Sequence, residues 1–236
     1  MCIRDRYKGA GANNTHSGQP FPVNQGPQVI MFDPLAGVNP STDVGDGVTV
    51  GEVAKYVKTS TPYFVTVFNQ IRMFAKSRFN FCAMFFGGGY LLYRKMYKIG
   101  SVITAIQAAM LILYYYLNYY ITSSPVYDKL LKALYEYDTN ATALYMSELS
   151  AKQYSMLMLY FAIAVVMLVM GIVIGACANR MYFNHCKKQI VKIKSEAKTQ
   201  SECDTLYQKR GGVNMPLAIS LWITYIILSY MPSFFY

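Results

Sequence analysis

Three long stretches without a charged side chain constrain this chain more than anything else in it. They run over about 99–122, 154–179 and 213–235. A helix needs about 20 apolar residues to cross a hydrocarbon core of about 30 Å, and each stretch is long enough. Composition agrees: 54% of the residues are hydrophobic and 14% charged, whereas soluble domains carry about 25% charged residues. The pattern predicts an all-α integral membrane protein with three transmembrane helices.

Charge in the connecting segments sets the expected orientation. Residues 123–153 hold three lysines against four acids, whereas 180–210 hold eight Lys/Arg against three acids. Another eight cations lie between Lys55 and Lys98, with no acid among them. Positive-inside bias therefore expects the N-terminal region and 180–210 in the cytoplasm, and 123–153 and the C-terminus outside. Tyr114, Tyr115, Tyr116, Tyr119, Tyr120, Tyr154, Tyr230, Phe234, Phe235 and Tyr236 crowd the span ends assigned to the outer side. They read as an interfacial aromatic belt.

The region before the spans divides by composition. Residues 1–6, Met-Cys-Ile-Arg-Asp-Arg, resemble a translated sequencing adapter of the kind found in metagenomic assemblies, so a natural start farther upstream is expected. Residues 7–48 are rich in Gly, Asn, Pro and Gln and read as a flexible tail. A helical lead-in follows over 49–78, with two short cytoplasmic helices. The first is opened by a Thr49-x-x-Glu52 capping box, and the second runs from Pro62 to about Lys76 behind Thr61 as N-cap. Within the membrane domain, 79–236, the segment 79–97 is too short to cross comfortably and has glycines at 87–89. A re-entrant or interfacial dip broken at those glycines is expected, with a tilted short span as the alternative.

That segment also carries a resemblance. Phe79-Asn80, Ala83, Phe85-Phe86-Gly87 and Tyr93-Arg94-Lys95-Met96-Tyr97 resemble the signature of the bacterial domain of unknown function 2628 family. Its members typically show Phe-Asn-Trp-x-Ala-Phe-Phe-Phe-Gly-Pro-Leu and, farther on, Tyr-Arg-Lys-Met. Phe81 stands where Trp is usual, and Gly88 where Pro is common. Similarity at 47–57 and at Arg210-Gly211-Gly212 extends the likeness over roughly 47–236. The resemblance implies a bacterial membrane protein, often with a zinc-ribbon or RING-like module upstream, and brings no catalytic residues with it.

Other motifs give packing and surface expectations. Gly171-x-x-x-Gly175 and the Ser101, Ala105, Ala109 repeat place small residues four apart, a spacing that lets helices approach closely within the chain or in a homo-oligomer. Over 182–198, Phe183, Cys186, Ile190, Ile193 and Ala197 form an apolar stripe. Lys187, Lys188, Lys192, Lys194 and Lys198 occupy mainly the other faces. Such a helix can lie on an anionic leaflet, or it can be a solvated cytoplasmic helix. A basic face without a recognition motif gives no reason to expect nucleic acid.

Reactive chemistry finds little support. Cys2, Cys82, Cys177, Cys186 and Cys203 form no Cys-x-x-Cys pair, and His185-Cys186 supplies only two metal donors. No serine has His and Asp partners in evident triad order. Gln107 and Asn118 are the notable polar side chains of the spans, and helix-to-helix hydrogen bonding accounts for Gln107. No cofactor or metal site is expected. The function that follows is a non-enzymatic anchor or scaffold in a bacterial cytoplasmic membrane, with the bilayer and unidentified proteins as partners. A small oligomeric channel or transport-associated subunit is the alternative.

Overall fold

The computed structural model describes residues 33 and 35–230. The adapter-like start, Cys2, His16, most of the expected tail and the Phe234, Phe235 and Tyr236 end of the expected belt lie outside the described residues.

The described chain is mostly helical. Its elements in order are β1 (Asp43–Gly45), β2 (Val48–Thr49), α1 (Val50–Val57), α2 (Thr61–Phe74), α3 (Phe81–Phe86), α4 (Gly88–Tyr93), α5 (Tyr97–Thr122), α6 (Pro125–Tyr135), α7 (Thr139–Glu148), α8 (Ala151–Glu196), α9 (Gln200–Arg210) and α10 (Met215–Tyr230). Two compact units divide it. One takes the described residues up to Asn69 together with Cys186–Gly211; the other takes Gln70–His185 and the described residues from Gly212.

The first unit has its own core. β1 and β2 form an antiparallel hairpin turned by Asp46 and Gly47, both at positive φ (61° and 68°), the pair a two-residue type I′ turn demands. The end of the expected flexible tail is therefore ordered: Val44 and Val48 are buried, which gives the hairpin an apolar side to fold around. The capping box forms as expected, with Thr49 Oγ1 accepting from Glu52 N and Glu52 Oε2 accepting from Thr49 N. Val50, Val53 and Val57 of α1, Phe64 and Phe68 of α2, Ile190 and Ile193 of α8, and Cys203 and Tyr207 of α9 are buried in this unit.

The second unit holds α5 and the part of α8 up to His185. Among the described residues, α5 and α8 are the two helices apolar and long enough to cross a membrane. At 1.5 Å per residue they measure about 39 and 69 Å. The expected second span and the separate basic helix are one continuous α8, because neither glycine nor proline interrupts the chain from Ala176 to Glu196. Within the third expected span, Met215–Tyr230 form α10, whose 16 residues extend about 24 Å; residues 231–235 lie outside the described ones. The expected dip is two six-residue helices, α3 and α4, each about 9 Å long.

Residues 123–153, anticipated only as a connecting segment, fold as α6 and α7. Pro125 opens α6 at its first turn, and Asp138 caps α7 by accepting from Ala141 N. Ile121, Tyr127, Leu130 and Leu157 form a buried cluster there, flanked by Tyr120, Tyr145, Leu149 and Tyr160. Tyr127 donates its hydroxyl to the Gln153 carbonyl. Burial, and then the neighbouring Tyr120, pushes its phenol above the usual range.

Candidate functional site

The signature residues converge on a buried polar node in the second unit. Asn80 precedes α3, and its Oδ1 accepts from Ala83 N at 3.0 Å, capping the helix. Its Nδ2 donates to Tyr90 Oη of α4 and to Asn179 Oδ1 of α8, both at 2.9 Å. Asn80 N donates to the Gly175 carbonyl at 2.9 Å, and Asn179 Nδ2 donates to the Arg78 carbonyl at 2.9 Å. Asn80 is 6% exposed and Asn179 fully buried. One amide thus joins α3, α4 and α8 where water does not compete, and there each bond made or lost counts most.

Two glycines let this approach happen. A Cβ on Gly171 would meet the Met84 carbonyl oxygen at 2.9 Å, and one on Gly175 would meet Phe79 Cζ at 2.7 Å. The Gly-x-x-x-Gly face therefore receives the signature segment itself. Ala83 is fully buried on the inner side of α3, while Phe81, Phe85 and Phe86 point outward at 65%, 76% and 58% exposure.

The glycine break is sharper than expected. Gly87 alone stops the helix, at φ 51°, with its N–H donating to the Ala83 carbonyl. Gly88 N then donates to Gln107 Oε1 of α5 at 2.8 Å, so the span's glutamine supports the first turn of α4. A Cβ on Gly88 would meet Thr104 N at 2.5 Å, whereas one on Gly89 would meet nothing within 4 Å. The α5 face in use is thus Gly100, Thr104 and Gln107. Ser101, Ala105 and Ala109, the expected packing repeat, lie on an exposed face. Small residues occur on two adjacent faces of α5, and α4 occupies the one at Gly100 and Thr104.

Tyr-Arg-Lys-Met turns the chain from α4 into α5. Lys95 sits at φ 61°, Lys95 N donates to the Leu92 carbonyl, and Met96 N donates to the Leu91 carbonyl. These two bonds make a Schellman turn, with Met96 buried beneath it. The Tyr93 carbonyl accepts from Asn214 N at 2.8 Å, which ties α4 to the start of α10. The Arg94 guanidinium carbon lies 5.2 Å from the Tyr93 ring centre, 5.3 Å from Tyr182 and 5.9 Å from Tyr90. Arg94 is 5% exposed, so these aromatic faces lie about a desolvated cation.

The basic helix requires a correction. Cys186, Ile190, Ile193 and Ala197 are buried in the first unit's core, so the apolar stripe is not available to a leaflet. Lys187 pairs with Asp46 and Lys194 with Glu52, each at 2.8 Å, and Lys194 also donates to the Gly47 carbonyl. Lys192 lies 3.8 Å from Glu196, while Lys188 and Lys198 are exposed. Two of the five expected headgroup lysines therefore hold the hairpin and α1 in place.

Chemically the node binds and orients. Its groups are amides, phenols and a guanidinium, engaged with one another and with the backbone. Among the described residues no three of His, Cys, Asp and Glu come together. Cys82 and Cys177 are exposed, whereas Cys186 and Cys203 are buried. Burial holds the His185 imidazole below its usual range. Sequence reasoning marked Asn80 and Arg94 as signature residues but did not single out Asn179. Its signal was position: an amide ending a charge-free stretch, directly before Arg180.

A family model described as protein of unknown function (DUF2628) matches residues 51–188, a range that includes the whole node. No curated protein and no solved structure matches the chain.

Proposed function

We propose that this chain, which belongs to the DUF2628 family of proteins of unknown function, is a multi-pass anchor or scaffold of a bacterial cytoplasmic membrane that catalyses no reaction. One observation carries the reading. α5 and α8 are long and apolar, yet only 6% and 22% of their most apolar stretches are buried within the chain. Val165, Val166, Leu168, Val169 and Val173 of α8 stand open on one side or another, an arrangement that costs little in lipid and much in water.

In this reading α5, α8 and α10 cross the bilayer. The N-terminal region and the C-terminal turns of α8 are cytoplasmic, and α6, α7 and the C-terminus are external. The first unit then forms a folded cytoplasmic base, held by its own valine-rich core and by ion pairs, on which further cytoplasmic modules assemble. The signature supports this as a joint: it packs α3 and α4 against α5 and α8.

Topology is read by maleimide labelling in spheroplasts of a cysteine-free background. A Tyr137→Cys probe should react with an impermeant reagent from outside, and a Lys192→Cys probe only after permeabilisation. The reverse pattern would overturn the orientation. Recovery in the soluble fraction after alkaline carbonate washing would overturn membrane spanning itself. Solute flux from liposomes carrying the purified chain would replace the scaffold by a channel.

A further inference from the structure

Lys187 and Lys194 of α8 are held in ion pairs by the fold, whereas a second group of cations meets no acid. Arg72, Lys76 and Arg78 are exposed, and among the described residues none of them forms an ion pair; Arg78 Nε donates only to Gln70 Oε1, at 2.8 Å. No acid occurs between Lys55 and Lys98, so this stretch has no local carboxylate to pair with. Directly after these cations, α3 turns Phe81, Phe85 and Phe86 outward, its opposite side fixed on Gly171 and Gly175 of α8.

Depth follows from that seat. Gly171 and Gly175 precede Arg180, the first charge after the apolar stretch, by nine and five residues. That is about 14 and 8 Å along the helix axis. α3 is thus held beside the last turns of the apolar stretch, on the acyl side of that first charge.

We infer that the end of α2 and α3 form an anionic-lipid site, in which Phe81, Phe85 and Phe86 enter the acyl boundary while Arg72, Lys76 and Arg78 bind phosphate groups of the same leaflet. The inference rests on the membrane reading above. Uncompensated positive charge beside an exposed aromatic face matches the two parts of such a lipid, and the bilayer that receives α8 is already adjacent to α3. The expected dip becomes an interfacial foot, and headgroup binding moves from α8 to this foot.

The test uses the full chain in vesicles of phosphatidylcholine with or without phosphatidylglycerol. Trp222, the single tryptophan, is replaced by Phe, and Phe85→Trp is the reporter. Quenching by brominated phosphatidylglycerol should exceed quenching by brominated phosphatidylcholine. The preference should exceed tenfold in local lipid occupancy, since each of the three cations favours an anionic surface by about fivefold. Arg72→Gln with Lys76→Gln should reduce the preference severalfold, and Arg72→Lys should retain it. Equal quenching by both lipids, or a reporter quenched only by aqueous iodide, would overturn the site. Displacement by inorganic phosphate beyond chloride at equal ionic strength would reassign it to a free anion.

Val166→Trp in α8 separates the two readings. A quenched Val166→Trp with an unquenched Phe85→Trp defeats the lipid foot alone, whereas neither being quenched defeats the membrane reading as well.

Discussion

Replacing Asn80 by Ala should cost far more than an ordinary polar truncation. The side chain provides the cap acceptor for α3 and the donor that satisfies Asn179 Oδ1, which is fully buried. Loss of a cap costs about 1 kcal/mol, and removing one partner of a buried hydrogen bond adds about 1–3 kcal/mol. The expected loss is about 2–4 kcal/mol, a hundredfold or so in the folding equilibrium at its centre. SDS titration of detergent-solubilised protein, followed by helical circular dichroism, measures it. Asn179→Ala and the double variant complete a cycle. Because the two amides share one bond, the double should cost about 1 kcal/mol or more less than the sum. Asn80→Asp divides the terms, since its carboxylate keeps the cap but cannot donate to Asn179. An Asn80→Ala loss within about 0.5 kcal/mol of the parent, or strict additivity, would refute the latch.

Three further expectations follow from the same geometry. Gly88→Ala should lose about 1–3 kcal/mol, because its Cβ meets the backbone of α5 at Thr104; Gly89→Ala, facing open space, should be neutral or gain up to about 1 kcal/mol, both read by the same titration. Lys194→Ala should lower the first unit's stability by about 0.5–1 kcal/mol, and Lys188→Ala should leave it unchanged, as measured by hydrogen exchange at α1. His185 should make stability pH-dependent: its folded-state value is depressed, so the unfolded chain binds the proton first. Stability is full above about pH 6.5 and is lost as pH falls through the lower folded value. A midpoint series from pH 8 to 5 should lose that slope in His185→Gln.

How far the sequence exposed this fold depends on which force decided each element. Charge-free length decides α5 and the apolar part of α8, and both are plain in the residues. The continuity of α8 was hidden because polarity changes at Arg180 while helix propensity does not, and the hydrogen-bond ladder follows propensity. The hairpin had a local signal, Asp46-Gly47 between Val44 and Val48, but the Gly, Asn and Pro content of its surroundings outweighed it. α6 was legible too, in Pro125 followed by Tyr127, Leu130 and Ala133 at three-residue steps. The Asn80–Asn179 contact was not, since it joins residues 99 apart through a tertiary packing that no local period encodes.

The basic helix shows what an amphipathic pattern leaves open. An apolar stripe requires cover but does not name it, and here the cover is the valine-rich core of the first unit. The neighbouring charges are more informative. Around 180–210 and the hairpin, acids are at hand, and Asp46, Glu52, Glu196 and Asp204 take up Lys187, Lys194, Arg210 and Lys55. These four cations are used by the fold. Between Lys55 and Lys98 no acid exists, so cations outnumber any carboxylate that could neutralise them locally, and those on the end of α2 stay exposed beside three outward phenylalanines. Anionic partners should therefore be sought where the sequence withholds acids rather than where lysines are densest.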